Sequence, residues 1–220
     1  MNTQSAAGSS VRAGQPSGLD VFYPILPDSA WIARLVPLGL RTVQLRLKDA
    51  NTDEVCRQIA ASLDTCRARG CQLIVNDYWR EAIALGADYI HLGQEDLADA
   101  DVAHIKRAGA RLGISTHNMQ ELEIALAAAP DYIALGPIYE TRLKAMSWAP
   151  QGLARIGEWK QRIEVLPLVA IGGITPERAD GIIDAGADSA AVITDFMTAA
   201  DPALRVRTWL DWAARRRAPN

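Results

Sequence analysis

Val21-Phe22-Tyr23-Pro24-Ile25-Leu26 is a short apolar run, and Pro27-Asp28-Ser29 follows it directly. An open doubly wound sheet normally follows its first strand with a glycine-rich G-x-G-x-x-G turn, so this glycine-free turn argues for another parallel architecture. Seven further runs of the same kind lie downstream: Thr42 to Leu45, Gln72 to Val75, Tyr89 to Leu92, Leu112 to Ser115, Tyr132 to Leu135, Leu168 to Ile171 and Ala190 to Ile193. Longer amphipathic stretches separate them, the pattern of parallel strands joined by crossover helices. Eight such units in one chain predict an α/β fold, a single (β/α)₈ TIM barrel.

The helical stretches carry end signals. Asn51 and Thr52 can cap a helix with Asp53 and Glu54 in its first turn, and Gly70 follows its last basic residues. Thr175-Pro176-Glu177 is a second start, with proline where its missing N–H costs nothing. Gly86, Gly109 and Gly186 each close a helical stretch just before a strand, where a left-handed residue is needed.

The chain has 220 residues, 49% of them hydrophobic, enough for one domain with a full core. That domain is expected over residues 19–216, after a tail at 1–18 whose Ser, Gly, Ala and Gln predict disorder. A net charge of -3, with 22% charged residues of mixed sign, leaves no nucleic-acid footprint and no anionic-membrane patch. No run spans a bilayer, and no apolar signal region precedes Asp20. Cys56, Cys66 and Cys71 form no C-x-x-C pair, so neither a disulfide framework nor a zinc site is indicated and a reducing cytoplasm is the expected setting. The expected partners are small molecules.

In a barrel of this kind the active site lies at the C-terminal ends of the strands. There, Gln44-Leu45-Arg46-Leu47-Lys48 alternates so that Gln44, Arg46 and Lys48 share one face. Asn76-Asp77 and His91-Leu92-Gly93-Gln94-Glu95-Asp96 end the next two strands. Either carboxylate alone is most simply a helix cap, but Asp77 and Asp96 on adjacent strand ends, facing a mouth that holds Arg46 and Lys48, suit a Mg²⁺ site completed by substrate phosphates. His91 reads equally well as a packed imidazole or a ligand contact. Ser115 and His117 share parity after the fifth run. A long connection follows the sixth, from Gly136 through Thr141 and Lys144 to Gly152, and connections of that length are more often functional than accidental. Gly172-Gly173 leads straight into a helix start, offering backbone N–H groups and a helix dipole to an anion, with Ile193-Thr194-Asp195 on the neighbouring strand. The mouth thus presents two anion-handling regions, which implies two phosphorylated ligands.

From about Asp20 to Ala200 the combination of these pieces resembles the thiamine-phosphate synthase family. The pieces are Gln44-x-Arg46-x-Lys48, Asn76-Asp77, His91-x-Gly93-Gln94-Glu95-Asp96, Ser115-Thr116-His117, Gly136-Pro137-Ile138 with Thr141 and Lys144, Pro150-Gln151-Gly152 and Gly172-Gly173-Ile174. The resemblance implies condensation of 4-amino-5-hydroxymethyl-2-methylpyrimidine diphosphate with 4-methyl-5-(2-hydroxyethyl)thiazole phosphate, with release of pyrophosphate and with Mg²⁺ as cofactor. It implies that Gln44, Arg46, Lys48, Asn76, Ser115 and Lys144 hold the pyrimidine diphosphate, that Asp77 and Asp96 are the metal ligands, and that Thr141, Gly173, Ile193 and Thr194 lie on the thiazole-phosphate side. Arg46, Lys48, Ser115 and Lys144 would act in the chemistry.

Leu143 stands where the family often has a hydroxyl residue, Thr194 stands where Ser is more usual, and Asp195 is an unexpected charge beside a phosphate site. Other readings are a thiazole tautomerase relative using His117 as proton shuttle, a Schiff-base aldolase, and a non-catalytic thiazole-phosphate binder. The first lacks a use for the full Arg46, Lys48, Asp77, Asp96 and Lys144 set, and the second needs a desolvated lysine within a strand.

Overall fold

The computed structural model describes residues 19–141 and 149–217. The tail expected at 1–18 and the candidates Leu143 and Lys144 therefore lie outside the described residues.

Eight parallel strands close into one barrel in chain order: β1 Phe22–Leu26, β2 Thr42–Leu45, β3 Gln72–Asn76, β4 Tyr89–Leu92, β5 Arg111–Thr116, β6 Tyr132–Leu135, β7 Leu168–Ile171 and β8 Ser189–Val192, with β8 paired back to β1. The helices are α1 Ser29–Leu35, α2 Thr52–Ala68, α3 Trp79–Ala84, α4 Gln94–Asp99, α5 Val102–Arg107, α6 Met119–Ala127, α7 Gly152–Ile163, α8 Pro176–Asp184, α9 Thr194–Met197 and α10 Pro202–Arg217. Every expected strand is present within one residue at each end. At β8 the difference matters: Ile193, expected to end the strand, has left the extended region and is the residue before α9.

The cap signals act locally as expected. Asn51 accepts from the Glu54 backbone N–H at 3.0 Å, Thr175 precedes Pro176 at the start of α8, and Gly70, Gly86, Gly109 and Gly186 all have positive φ. All three cysteines are free, and no described helix is long and apolar enough to cross a membrane.

Two cores follow from the alternation of side chains along each strand. Leu26, Val43, Leu45, Leu73, Leu112 and their kin face outward and meet the helices. Residues of opposite parity, among them Tyr23, Ile25, Ile74, Tyr89, Tyr132, Ala134, Val169 and Ala191, fill the barrel itself. Each fully buried aliphatic or aromatic side chain contributes about 1.5–3 kcal/mol before the entropy of ordering it is subtracted. Outside the barrel, Trp209 of α10 stacks on Phe22 with ring centroids 4.9 Å apart. At the N-terminal face, Arg217 donates Nε and Nη2 to the two carboxylate oxygens of Asp20, whose backbone N–H donates to Thr42 Oγ1 and whose carbonyl accepts from Ser189 Oγ. The first and last described elements are thereby tied together at the face opposite the candidate site.

Candidate active site

The site is assembled at the C-terminal ends of β2 to β8. Past β2 the backbone N–H of Arg46 still donates to the Leu26 carbonyl at 2.8 Å, so the ladder carries Arg46 to the rim. Gln44 is buried inside the barrel, Arg46 is half-buried and Lys48 is exposed, while Leu45 and Leu47 are buried in the outer core. Burial therefore falls along Gln44, Arg46 and Lys48, from the barrel interior out to solvent, with Arg46 and Lys48 beyond the end of β2.

Asp77, just after β3, takes a left-handed backbone conformation with φ of 67°. Such a conformation costs a non-glycine residue on the order of 1–3 kcal/mol, and Asp is among the residues that tolerate it best. Its backbone N–H donates to the His91 carbonyl at 2.9 Å and Asn76 Nδ2 donates to its carboxylate. The simple cap role does not hold, because the cap position of α3 is Tyr78 and no side chain caps the helix. Instead the Asp77 carboxyl meets that of Asp96, from the first turn of α4. Gly93 makes room: a Cβ there would lie 3.2 Å from Asp96 Oδ2.

Burial, then the negative charge of Asp96 and the hydrogen bond to it, push the Asp77 carboxyl up to about 7, with Arg46 and the Gly93 N–H pulling it down less. Half-buried Asp77 facing exposed Asp96 favours a cation between the two carboxylates, so the donor set fits Mg²⁺. Among the described residues no group of three acidic, His or Cys side chains gathers.

Below the rim a hydrogen-bonded chain crosses the barrel. Gln44 Nε2 donates to the Tyr23 hydroxyl at 2.8 Å, the Tyr23 and Tyr132 hydroxyls are 3.0 Å apart, His91 Nδ1 lies 2.6 Å from the Tyr132 hydroxyl, and His91 Nε2 lies 2.8 Å from Ser115 Oγ. His91 is held neutral, because burial and then the Arg46 charge push its pKa down to about 3. Burial raises both tyrosines far above their ordinary range, so they stay protonated. Gly113 is what admits Tyr132: a Cβ there would sit 2.1 Å from the tyrosine ring. Tyr23, Tyr132 and Gly113 were not among the residues singled out from the sequence. The available signal was parity, since a hydroxyl on the inner face of an apolar strand needs a partner.

Ser115 thus turns inward to His91, and its neighbour Thr116 faces outward, donating to the Ala134 carbonyl at 2.9 Å and accepting from Trp159 Nε1. Neither caps α6, because Asn118 does, accepting from the Glu121 backbone N–H. His117, expected on the same face as Ser115, has its Nδ1 2.7 Å from Glu121 Oε2. That contact binds it to α6.

On the opposite side, Gly172 and Gly173 have φ of 105° and 63°. Their lack of a side chain has a reason beyond phosphate access. A Cβ on Gly173 would lie 2.4 Å from the Glu140 carbonyl, and one on Gly172 would lie 2.7 Å from Pro137. The glycines therefore let the β7 end pack directly on the connection after β6, which brings half-buried Thr141 to the same side. Ile193 packs on the inner core and Thr194 opens α9, so backbone from the ends of β7 and β8 faces one region. Asp195 points away, into a pairing with Arg205 and Trp209 of α10.

A family model described as thiamine monophosphate synthase matches residues 25–196. The thiamine-phosphate synthase of Rhizobium etli is 56% identical over 192 residues, covering 87% of this chain and 94% of its own. That of Salmonella paratyphi B is 47% identical over 179 residues, covering 81% of this chain and 85% of its own. Among solved structures, the thiamine phosphate pyrophosphorylase from Pyrococcus furiosus superposes with a TM-score of 0.78 at 24% identity, covering 90% of this chain and 96% of that one, a likeness of fold. By the span of the family match and the identity to these relatives, the chain belongs to the thiamine monophosphate synthase family.

Proposed function

We propose that this protein is a transferase that joins 4-amino-5-hydroxymethyl-2-methylpyrimidine diphosphate to 4-methyl-5-(2-hydroxyethyl)thiazole phosphate, giving thiamine phosphate and pyrophosphate. Membership of the family supports the reaction. The observation that carries the metal-dependent, diphosphate-handling reading is the Asp77–Asp96 carboxyl contact beside Arg46, since a hard-cation site next to a guanidinium suits a diphosphate.

In this reading Gln44, Arg46, Lys48, Asn76, Ser115 and Lys144 hold the pyrimidine diphosphate, while Thr141, Gly173, Ile193 and Thr194 hold the thiazole phosphate. Asp77 and Asp96 hold Mg²⁺, which when bound neutralises part of the diphosphate charge. The bond between the pyrimidine methylene carbon and the diphosphate oxygen breaks, and the oxygen leaves with the electron pair. Arg46, Lys48 and Lys144 offset the charge that develops there. The lone pair of the thiazole nitrogen then forms the new bond to that carbon. Holding both ligands in one mouth supplies the rest of the acceleration through proximity. Incubation of the purified protein with both substrates and Mg²⁺ tests the proposal: thiamine phosphate and pyrophosphate should appear in equal amounts. Binding of the thiazole phosphate without any product would overturn it.

A further inference from the structure

The chain of hydrogen bonds inside the barrel has a property that follows from counting its protons. It contains four links, Gln44 to Tyr23, Tyr23 to Tyr132, Tyr132 to His91 and His91 to Ser115. Each tyrosine has one hydroxyl hydrogen, and the neutral imidazole has one N–H. Three interior hydrogens serve four links, so one end of the chain must supply the fourth. The Gln44 carboxamide presents its NH₂ group to Tyr23, and that choice forces the rest: Tyr23 donates to Tyr132, Tyr132 donates to His91 Nδ1, and the imidazole carries its hydrogen on Nε2 and donates it to Ser115 Oγ. A turn of the Gln44 carboxamide would reverse every link and consume the Ser115 hydrogen. Tyr23 and Tyr132 are packed among Ile25, Ile74, Tyr89, Ala134, Val169 and Ala191, of which only Tyr89 carries a polar side-chain atom, and neither hydroxyl is hydrogen-bonded to it. No buried side-chain N or O among the described residues lacks a partner.

Ser115 is the open end. It is half-buried where Gln44 and His91 are buried, and with its lone pair engaged by His91 its hydroxyl hydrogen is left for the mouth. We propose that Tyr23, Tyr132 and His91 are positioning residues that polarise Ser115 as an obligate hydrogen-bond donor, so that the mouth selects a substrate with an acceptor atom, a ring nitrogen or an oxygen, at that point. The inference rests on the reading of Ser115 as a substrate contact. Tyr132 is central to it, linking the carboxamide side to the imidazole side, and its place in the barrel is fixed by the absence of a side chain at Gly113.

The test pairs a spectroscopic readout with a double-mutant cycle. In ¹⁵N NMR of the intact protein, His91 is expected as the Nε2–H tautomer. Tyr132→Phe, which keeps the ring but removes the hydroxyl, should convert that signal to a mixture or to the other tautomer, and Tyr23→Phe should do so more weakly. With both substrates present, Ser115→Ala and Tyr132→Phe should each lower kcat/KM by about tenfold, the scale of one lost hydrogen bond. In the Ser115→Ala background Tyr132→Phe should then add nothing. An Nδ1–H tautomer in the unsubstituted protein would overturn the inference, and so would losses that multiply in the double variant, the mark of general structural damage. Absence of synthase turnover would overturn the proposed function but leave the tautomer as an independent test.

Discussion

Arg205 donates Nε and Nη2 to the two oxygens of the Asp195 carboxylate, each at 2.8 Å, and Trp209 Nε1 donates to the same group at 2.8 Å. A free negative charge next to Thr194 would repel a phosphate held there, and this pairing removes it while docking α10. Asp195→Ala leaves the Trp209 N–H without its acceptor and should cost about 1–3 kcal/mol of stability in urea melts. Asp195→Asn, which retains an acceptor, should cost less. Neither should lower the KM for the thiazole phosphate, because the charge is already neutralised.

Turnover should require a divalent cation, and excess chelator should abolish it. Asp77→Asn removes the repulsion between two facing carboxylates, so without metal this variant should melt above the unsubstituted protein. Its Tm should also stop responding to added Mg²⁺ or Mn²⁺, whereas that of the unsubstituted protein should rise. Full turnover in chelator, or an unchanged Tm response in Asp77→Asn, would remove the metal assignment.

Arg46→Lys should lower turnover by about 10²-fold or more, the scale for removing one preorganised electrostatic donor, because an ammonium lacks the guanidinium fork. The affinity for the thiazole phosphate, bound across the mouth, should hold. Steady-state kinetics with thermal melts separate this from a solvated rim arginine, which would leave kinetics near normal and stability within about 0.5 kcal/mol.

Gly113→Ala should be severe for a residue in an ordinary strand conformation. The added Cβ would overlap the Tyr132 ring, and overpacking of this kind costs about 1–3 kcal/mol. Gly109→Ala has open space for its Cβ and only its positive φ to contend with, so it should lose about 1–2 kcal/mol, from backbone strain rather than contact. A denaturation series comparing the two checks whether contact with Tyr132 is the cause.

The strands were legible because a parallel strand buried on both faces reads as a short apolar run, and Asn51, Gly70 and Pro176 mark helix ends by local chemistry alone. The polar rim was legible for the same reason: Arg46, Asp77 and Asp96 have no place in a core. The interior was not. Tyr23 and Tyr132 are 109 residues apart and meet only through barrel closure, which no local pattern contains. His91 read ambiguously for a related reason: its partners Tyr132 and Ser115 come from other strands. His117 shares strand parity with Ser115, but parity stops applying where the strand ends at Thr116, and Glu121 one helical turn on captures the ring. Gly172 and Gly173 were recognised as special for one reason, and the contact with Pro137 and Glu140 is a second that only packing reveals.

The clasp between Asp20 and Arg217 places both ends of the described residues at the floor of the barrel, 197 residues apart in sequence yet within one ion pair. A short linker from Arg217 to Leu19 would therefore bridge them without crossing the mouth, and new termini could be opened in an exposed surface turn such as the one at Val165. The order in which the eight units leave the ribosome would change, while the rim that gathers Arg46, Asp77 and Asp96 would be rebuilt unchanged. In this barrel the sequence's starting point is a matter of manufacture, and the geometry of the rim belongs to the closed ring.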